Sequence, residues 1–398
     1  MDRFPANTQN IRPLNSNYML EPSHTYFELN AINNDTTGNG QPKSLIFNEV
    51  RNSAIISCAE NYYLSVVRFN VSTPTLPLFI PQVKLNQIDP NVLSYSITMK
   101  WTGTGVESTQ TFLIFESQNP FEPEPHPPTQ TQDLASEYYY VNNFQHFIKI
   151  INAGLSTALS NLKENEAAVP IGTTPPFFEI NPTTSDIILN GEVDIFDEAT
   201  TNRIEIYLNG SLYTLLSSLE AKNQKKGDTT NGKNFLLTLR NINGGNIYNV
   251  GGTNYLQSYA EYPTTPLWNP VSAIVFSASL VPIIPEQNSQ AIIFNSEIDP
   301  TNLGGNNSQI SNTLTDLIVP LSKGSETKPS ITYSPTAEYR LIDLVGQNPV
   351  KGIQIQCFWK DIYGGLHLFK LGNGCSASMK IMFRKKNFTH PDKNIENL

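Results

Sequence analysis

Five histidines, three cysteines and a few carboxylate and lysine motifs are the groups in this 398-residue chain whose types could do chemistry. His24, His126, His146, His367 and His390 stand far apart, with no i, i+4 pair and no HxH, so the local ligand pair common in transition-metal sites is missing. Only convergence of distant strands would build a metal site from them. Cys58, Cys357 and Cys375 show no CxxC spacing and are too few for a disulfide framework, which favours a reducing compartment. Cys375, between Gly374 and Ser376, has no histidine nearby in sequence to make it a thiolate. The stretch Gly227 to Lys233 has the GxxxxGK spacing of a phosphate loop, but Asn234 stands where Ser or Thr should hold magnesium. It also follows a helical pattern and precedes a strand, the reverse of the order that aims helix N-terminal amides at phosphates, so a flexible, solvated loop is expected. Ser325 and Lys328 fit SxxK but precede Pro329 in a loop, away from any buried helix that could depress the lysine pKa. Glu122 and Glu124 pair only in sequence, and GxSxG does not occur. No catalytic, cofactor-binding or metal-binding residue is assigned, and the chain is expected not to be an enzyme.

Lys and Arg number 26 against 35 Asp and Glu, a net charge of −9, which argues against a general nucleic-acid binder. Charged residues are only 15% of the chain, against ~25% in an average soluble protein, so Asn, Thr, Ser and Gln do most of the solvating. With 39% apolar residues, 20 Phe and 17 Tyr, there is ample material for a large core. Met1 to Pro13 lacks both a basic start and an apolar stretch, and Ser277, Ser279 and Pro282 interrupt the most apolar segment. Neither a secretion signal nor a membrane span is expected.

The elements that must position these residues follow a period of two. Tyr95, Ile97, Met99 and Trp101 alternate with polar neighbours, as do Ile204, Ile206 and Leu208, then Ile353, Ile355, Cys357 and Trp359, then Ala377, Met379, Ile381 and Phe383. Further strands are expected at 54–57, 62–71, 111–116, 177–180, 186–189, 235–239, 273–279, 291–295 and 317–320, separated by Pro, Gly and Asn turns. So many short strands predict an all-β sandwich or barrel. One amphipathic helix is expected over 143–163, laid on a sheet, because Phe144, Phe147, Ile148, Ile151, Leu155, Leu159 and Leu162 recur at spacings of three and four. A shorter helix is expected at 211–221, then long surface loops around one strand up to Leu267. The prolines of Asn119 to Thr129 make a loop. Residues 1–45 read as an extended N-terminal arm; Arg3, Arg12 and Lys43 are not the basic run that a genome-neutralising arm needs.

Several stretches, taken in order, resemble the single jelly-roll penton (minor capsid) proteins of virophages and the related Polinton and Polinton-like viruses. They are Glu60 to Phe69 with Pro74 to Pro81, the strand ending at Trp101, and Tyr138 to Val141 running into Phe144 to Ile148. Pro175 to Ile180 and Ile206 to Asn209 follow. The last third adds Trp268 with Ile274 to Phe276, Ile331 to Pro335, Glu338 to Arg340, Phe358 to Asp361 and Ser376 to Lys386. The resemblance covers about residues 50–388 and implies a single jelly-roll β-sandwich of eight strands, with the first near 54–70 and the last near 377–384. On that basis residues 46–390 form a jelly-roll capsid domain, with either surface loops or a small projecting insertion near 221–266, and a C-terminal tail at 391–398. The resemblance further implies a homopentamer at the icosahedral vertices, contacting a major double jelly-roll capsid protein and other minor capsid proteins, in a virion assembled in the host cytoplasm. Arg384, Lys385 and Lys386 read either as a solvated strand end or as a contact for the genome or an acidic partner. Two rivals are a double jelly-roll major capsid protein and a carbohydrate-binding or hydrolytic sandwich, which would need a cleft with paired carboxylates and exposed aromatics.

Overall fold

Alternating side chains build three strands first: β1 (His24–Ile32), β2 (Ile46–Val50) and β3 (Tyr62–Ser72). The chain then leaves through β4 (Ser96–Trp101), β5 (Thr111–Phe112), α1 (Phe144–Asn165), β6 (Phe177–Ile180), β7 (Ile187–Glu192) and β8 (Ile204–Leu208). This excursion continues as α2 (Gly210–Leu215), β9 (Ala221–Asn223), β10 (Phe235–Leu237), β11 (Ile247–Val250) and β12 (Thr253–Tyr259). The return supplies β13 (Val271–Ala278), β14 (Thr313–Ile318), β15 (Ser330–Tyr333), β16 (Gly352–Asp361), β17 (Leu366–Leu368) and β18 (Ser376–Lys385). The computed structural model describes residues 23–36, 40–81, 95–123, 136–224, 232–287, 310–319, 329–334, 340–362 and 364–386.

One sheet has the order β1-β18-β3-β15, and the other has β14-β13-β16-β17 with β2 also paired to β16. The pairing is nested: β1 meets β18, β2 meets β16, β3 meets β15 and β13 meets β14, all antiparallel. Nested pairing of eight strands in two sheets is a jelly roll. Phe47, Phe69, Phe276, Ile355 and Phe383 fill the space between the sheets, with the Phe69 and Phe276 rings 4.7 Å apart. Aligned packing of two inner faces buries most of the apolar surface of these strands.

The first jelly-roll strand among the described residues is β1, which lies inside the span expected as an arm over 1–45 and replaces the first strand expected near 54–70. β1 pairs with β18 along its whole length, from His24 opposite Arg384 to Ile32 opposite Ser376. Its inward residues include the small Thr25 and Ala31 while the large Tyr26 faces out, which blurs the alternation in sequence. Residues 1–22 and the expected tail at 391–398 lie outside the described residues, as does the expected strand at 291–295. Residues 54–57 make only the isolated bridge of Ile56 to Val350.

Between β3 and β13 the chain builds a second hydrophobic core of its own. The expected helix is present as α1, whose buried Phe147, Ile151, Leu155, Ala158 and Leu162 lie on one face. The Asn143 side chain caps it by accepting from the Gln145 amide at 2.8 Å. At Gly154 a Cβ would collide with Leu113, so the missing side chain lets the helix settle onto β4 and β5. The helix therefore belongs to the insertion and not to the jelly-roll sheets.

The expected insertion near 221–266 is one part of this larger unit, and its long loops around one strand are in fact β9 to β12. Gly251 and Gly252, at φ of +60° and +92°, turn β11 straight into β12 and leave Val250 opposite Thr253. The insertion sheets run β9-β10-β8-β4-β5 and β11-β12-β7-β6, rich in hairpins between sequence neighbours. Among the described residues that pattern lacks the nested pairing of a second jelly roll, which argues against the double jelly-roll alternative.

Candidate assembly surfaces

The described histidines stay apart, and no cluster of metal-ligating residues occurs among the described residues. His24 is exposed at the start of β1, and His146 Nε2 sits 2.8 Å from the Glu116 carbonyl oxygen. His367 stacks on Trp359 with centroids 4.1 Å apart and places Nε2 2.8 Å from Asp361 Oδ2. Asp361 is buried and also accepts from the Gly365 amide at 2.7 Å, so the pair locks the β16–β17 turn. Sequence reading missed this dyad, although a spacing of six across a Gly-Gly turn was its visible trace. His126, His390, Glu124 and the Ser325–Lys328 motif lie outside the described residues. All three cysteines are free, and burial pushes the Cys357 thiol pKa up, away from reactivity.

Lys233 overturns the expectation of a solvated loop at its own position. Its side chain is buried with Nζ 2.6 Å from Glu107 Oε1, and it lies 6.0 Å from the Tyr207 ring. Its neighbours Asn234 and Phe235 lock onto β8, which carries the lysine inward. A phosphate loop needs that ammonium free, whereas here it neutralises a carboxylate of the insertion.

Carboxylates do converge where jelly roll and insertion meet. Lys370 Nζ, on the jelly-roll side, lies 2.6 Å from Glu137 and 3.4 Å from Glu122 on the insertion. Burial raises the Glu137 pKa; Lys370 pulls it back and Glu122 adds to the rise. The edge of Tyr140 meets Trp359 at 5.9 Å nearby, and the cleft between the units holds about 220 Å³. Glu122 thus meets Glu137, 15 residues on. Both carboxylates are engaged by one ammonium, which fastens the two units together. Within the insertion core, Phe79 packs on Phe147 at 4.7 Å and on Trp268 at 5.4 Å.

The basic cluster ends β18 at the other end of the sandwich. Lys386 Nζ is 2.7 Å from Asp343 and 4.9 Å from the Tyr63 ring centroid, Lys385 is half-buried, and Arg384 is exposed. A cation already neutralised within the chain adds little to a nucleic-acid surface.

The described residues thus form a jelly roll with one connection expanded into a second unit. The chain belongs to the family described as Sputnik minor capsid protein V18/19, whose model matches residues 25–385, nearly the span from the first strand of the jelly roll to the last. Structural protein V19 of Sputnik virophage is 30% identical over 220 residues, covering 54% of this chain and 94% of that protein. Uncharacterized protein V18 of the same virus is 33% identical over 138 residues, covering 33% of this chain and 78% of that one. A chain in the 3.5 Å cryo-EM structure of the Sputnik virophage matches with TM-score 0.72 and 27% identity, over 92% of this chain and 99% of that chain. The mavirus penton protein crystal structure matches with TM-score 0.59 and 14% identity, over 92% and 100%, a likeness of fold. The protein is therefore a minor capsid structural protein of the virophage type. It is a component of the virion capsid and assembles with other capsid components. No helix among the described residues is long and apolar enough to cross a membrane.

Proposed function

We propose that five copies of this chain close into a ring that plugs each icosahedral vertex and meets the major double jelly-roll capsid protein and other minor capsid proteins around its rim. The observation that carries the reading is the jelly roll with an insertion between its third and fourth strands, shared over 92% of the chain with the solved mavirus penton. The polarity of the sandwich supports it. The insertion leaves β3 at the end near Ser72, while His24, Tyr63 and Arg384 mark the opposite end, where the described chain begins and finishes. Sheet faces and edges are then left for neighbours. A chain with only 15% charged residues lowers the desolvation cost of side-by-side contact. The three free cysteines fit assembly in the reducing cytoplasm of the infected host cell.

Mass photometry of the purified chain, alone and mixed with the major capsid protein, is expected to give a fivefold mass. A fivefold-averaged particle map is expected to place the jelly roll at the vertex. Density for this fold at other lattice positions only would overturn the reading.

A further inference from the structure

In a two-sheet sandwich the outward positions alternate with the core and normally meet water. The β1-β18-β3-β15 sheet obeys this except at Tyr26 and Ile32, 53% and 70% exposed on β1. Glu28, Lys380 and Arg68 stand in one row across its outer face, Arg68 Nη2 lies 3.2 Å from Glu28 Oε1, and Asn70 donates to Thr332 Oγ1 at 2.7 Å. The opposite sheet does not. The register of β2, β16, β13 and β14 sends Val50, Ile46, Leu368 and Ile318 outward, with Val50 69%, Leu368 47% and Ile318 76% exposed. Leu280, 50% exposed, closes over Gly352 beside Val50, where a Cβ would lie only 3.2 Å from its Cδ1. Lys360 and Asp316 add charge to this face, and Arg340 ties Asp316, at 3.1 Å, to Glu286 along its edge. The exposed apolar area is on the order of 500 Å², near the top of the ~300–600 Å² range for a monomer's largest patch. With the interleaved Asn48, Gln354 and Gln356 it approaches the ~800 Å² per partner of a standard stable interface.

We infer that this apolar outer face docks on a second copy of the chain, against the outer face of that copy's β1-β18-β3-β15 sheet. The inference rests on the vertex-ring reading and names the surfaces that make the ring. A ring closes only when one surface meets a different surface of its neighbour, whereas an apolar face meeting its own twin would stop at a dimer. The receiving face pairs Arg68 with Glu28 in plane, which lowers the cost of covering those two charges, and holds Lys380 over the Tyr26 ring. It also offers an anchor in Tyr26, 53% exposed and 5.5 Å from Lys380 Nζ.

The test is native mass spectrometry of the full-length chain, with the major capsid protein added where the free chain stays monomeric, and near-UV circular dichroism to confirm the fold. Ile318→Asp and Leu368→Asp on the apolar face, with the milder Ile318→Ser and Leu368→Ser, are expected to weaken ring formation at least tenfold. Tyr26→Ala on the receiving face is expected to do the same. Ile171→Asp, at a 94% exposed position on the insertion, is expected to leave ring formation unchanged. A fivefold mass that survives every face variant overturns this inference and leaves the vertex reading standing. A wild-type chain that forms no ring and enters no vertex under either condition overturns the vertex reading itself. A twofold mass abolished by Ile318→Asp would mean that the face pairs with itself, and it too overturns the inference.

Discussion

In the jelly roll His24 faces Arg384 and Val50 faces Gly352; in the insertion Val250 faces Thr253 and Ile180 faces Ile187. Both regions bury a core between antiparallel sheets, yet one draws strands from opposite ends of the chain and the other largely from neighbouring hairpins. Loop closure is cheap for the hairpins and slow for the nested pairs. An insertion rich in local pairings can therefore grow between β3 and β13 without disturbing the register of the strands around it. The jelly roll, by contrast, is complete only once β18 has been laid between β1 and β3.

The sharpest way to break this comparison is a core truncation. Phe276→Ala removes a ring packed on Phe69 and is expected to cost about 3–5 kcal/mol. Hydrogen exchange by mass spectrometry should show β1–β3 and β13–β18 losing protection together while β4–β12 keep theirs. Uniform loss would mean that the two cores unfold as one unit. Next in size, Gly154→Val forces a branched side chain against Leu113 and is expected to cost about 1–3 kcal/mol, confined to the insertion. Its urea midpoint should fall with jelly-roll exchange unchanged.

Asn143→Ala removes the α1 cap and should cost about 1 kcal/mol, with Asn143→Asp restoring most of it. The smallest effect concerns the seam. Burial holds the Glu137 pKa above its ordinary value of 4.5, so folding takes up a proton there. The contribution to stability is full below pH 4.5 and fades as pH rises through the raised value. The Tm of the wild type minus that of Glu137→Gln should therefore increase as pH falls from neutral toward 4.5. A decrease would mean that the bond to Lys370 outweighs burial.

Elements written in consecutive side chains are legible in the amino-acid order alone. Phe144, Phe147, Ile151 and Leu155 announce α1, and Ile353, Ile355, Cys357 and Trp359 announce β16, because helix and strand periods relate residues two to four apart. β1 escapes because its inward residues are partly small. Lys233 looks solvated because nothing nearby in sequence reveals that Glu107 waits for it. The lysine-bridged carboxylates escape for the same reason, since Lys370 lies 248 residues from Glu122.

By itself the sequence determined the sandwich class, the long helix, the lack of any local catalytic motif and, through ordered short stretches, the capsid family. Only the tertiary structure decided which strands nest, that the helix serves a second core, and that side chains as distant as Val50, Leu280, Ile318 and Leu368 share one outer face. Periodicity is a property of neighbours along the chain. A shared face is a property of register between strands hundreds of residues apart, which hydrogen bonds set only once the sheets close.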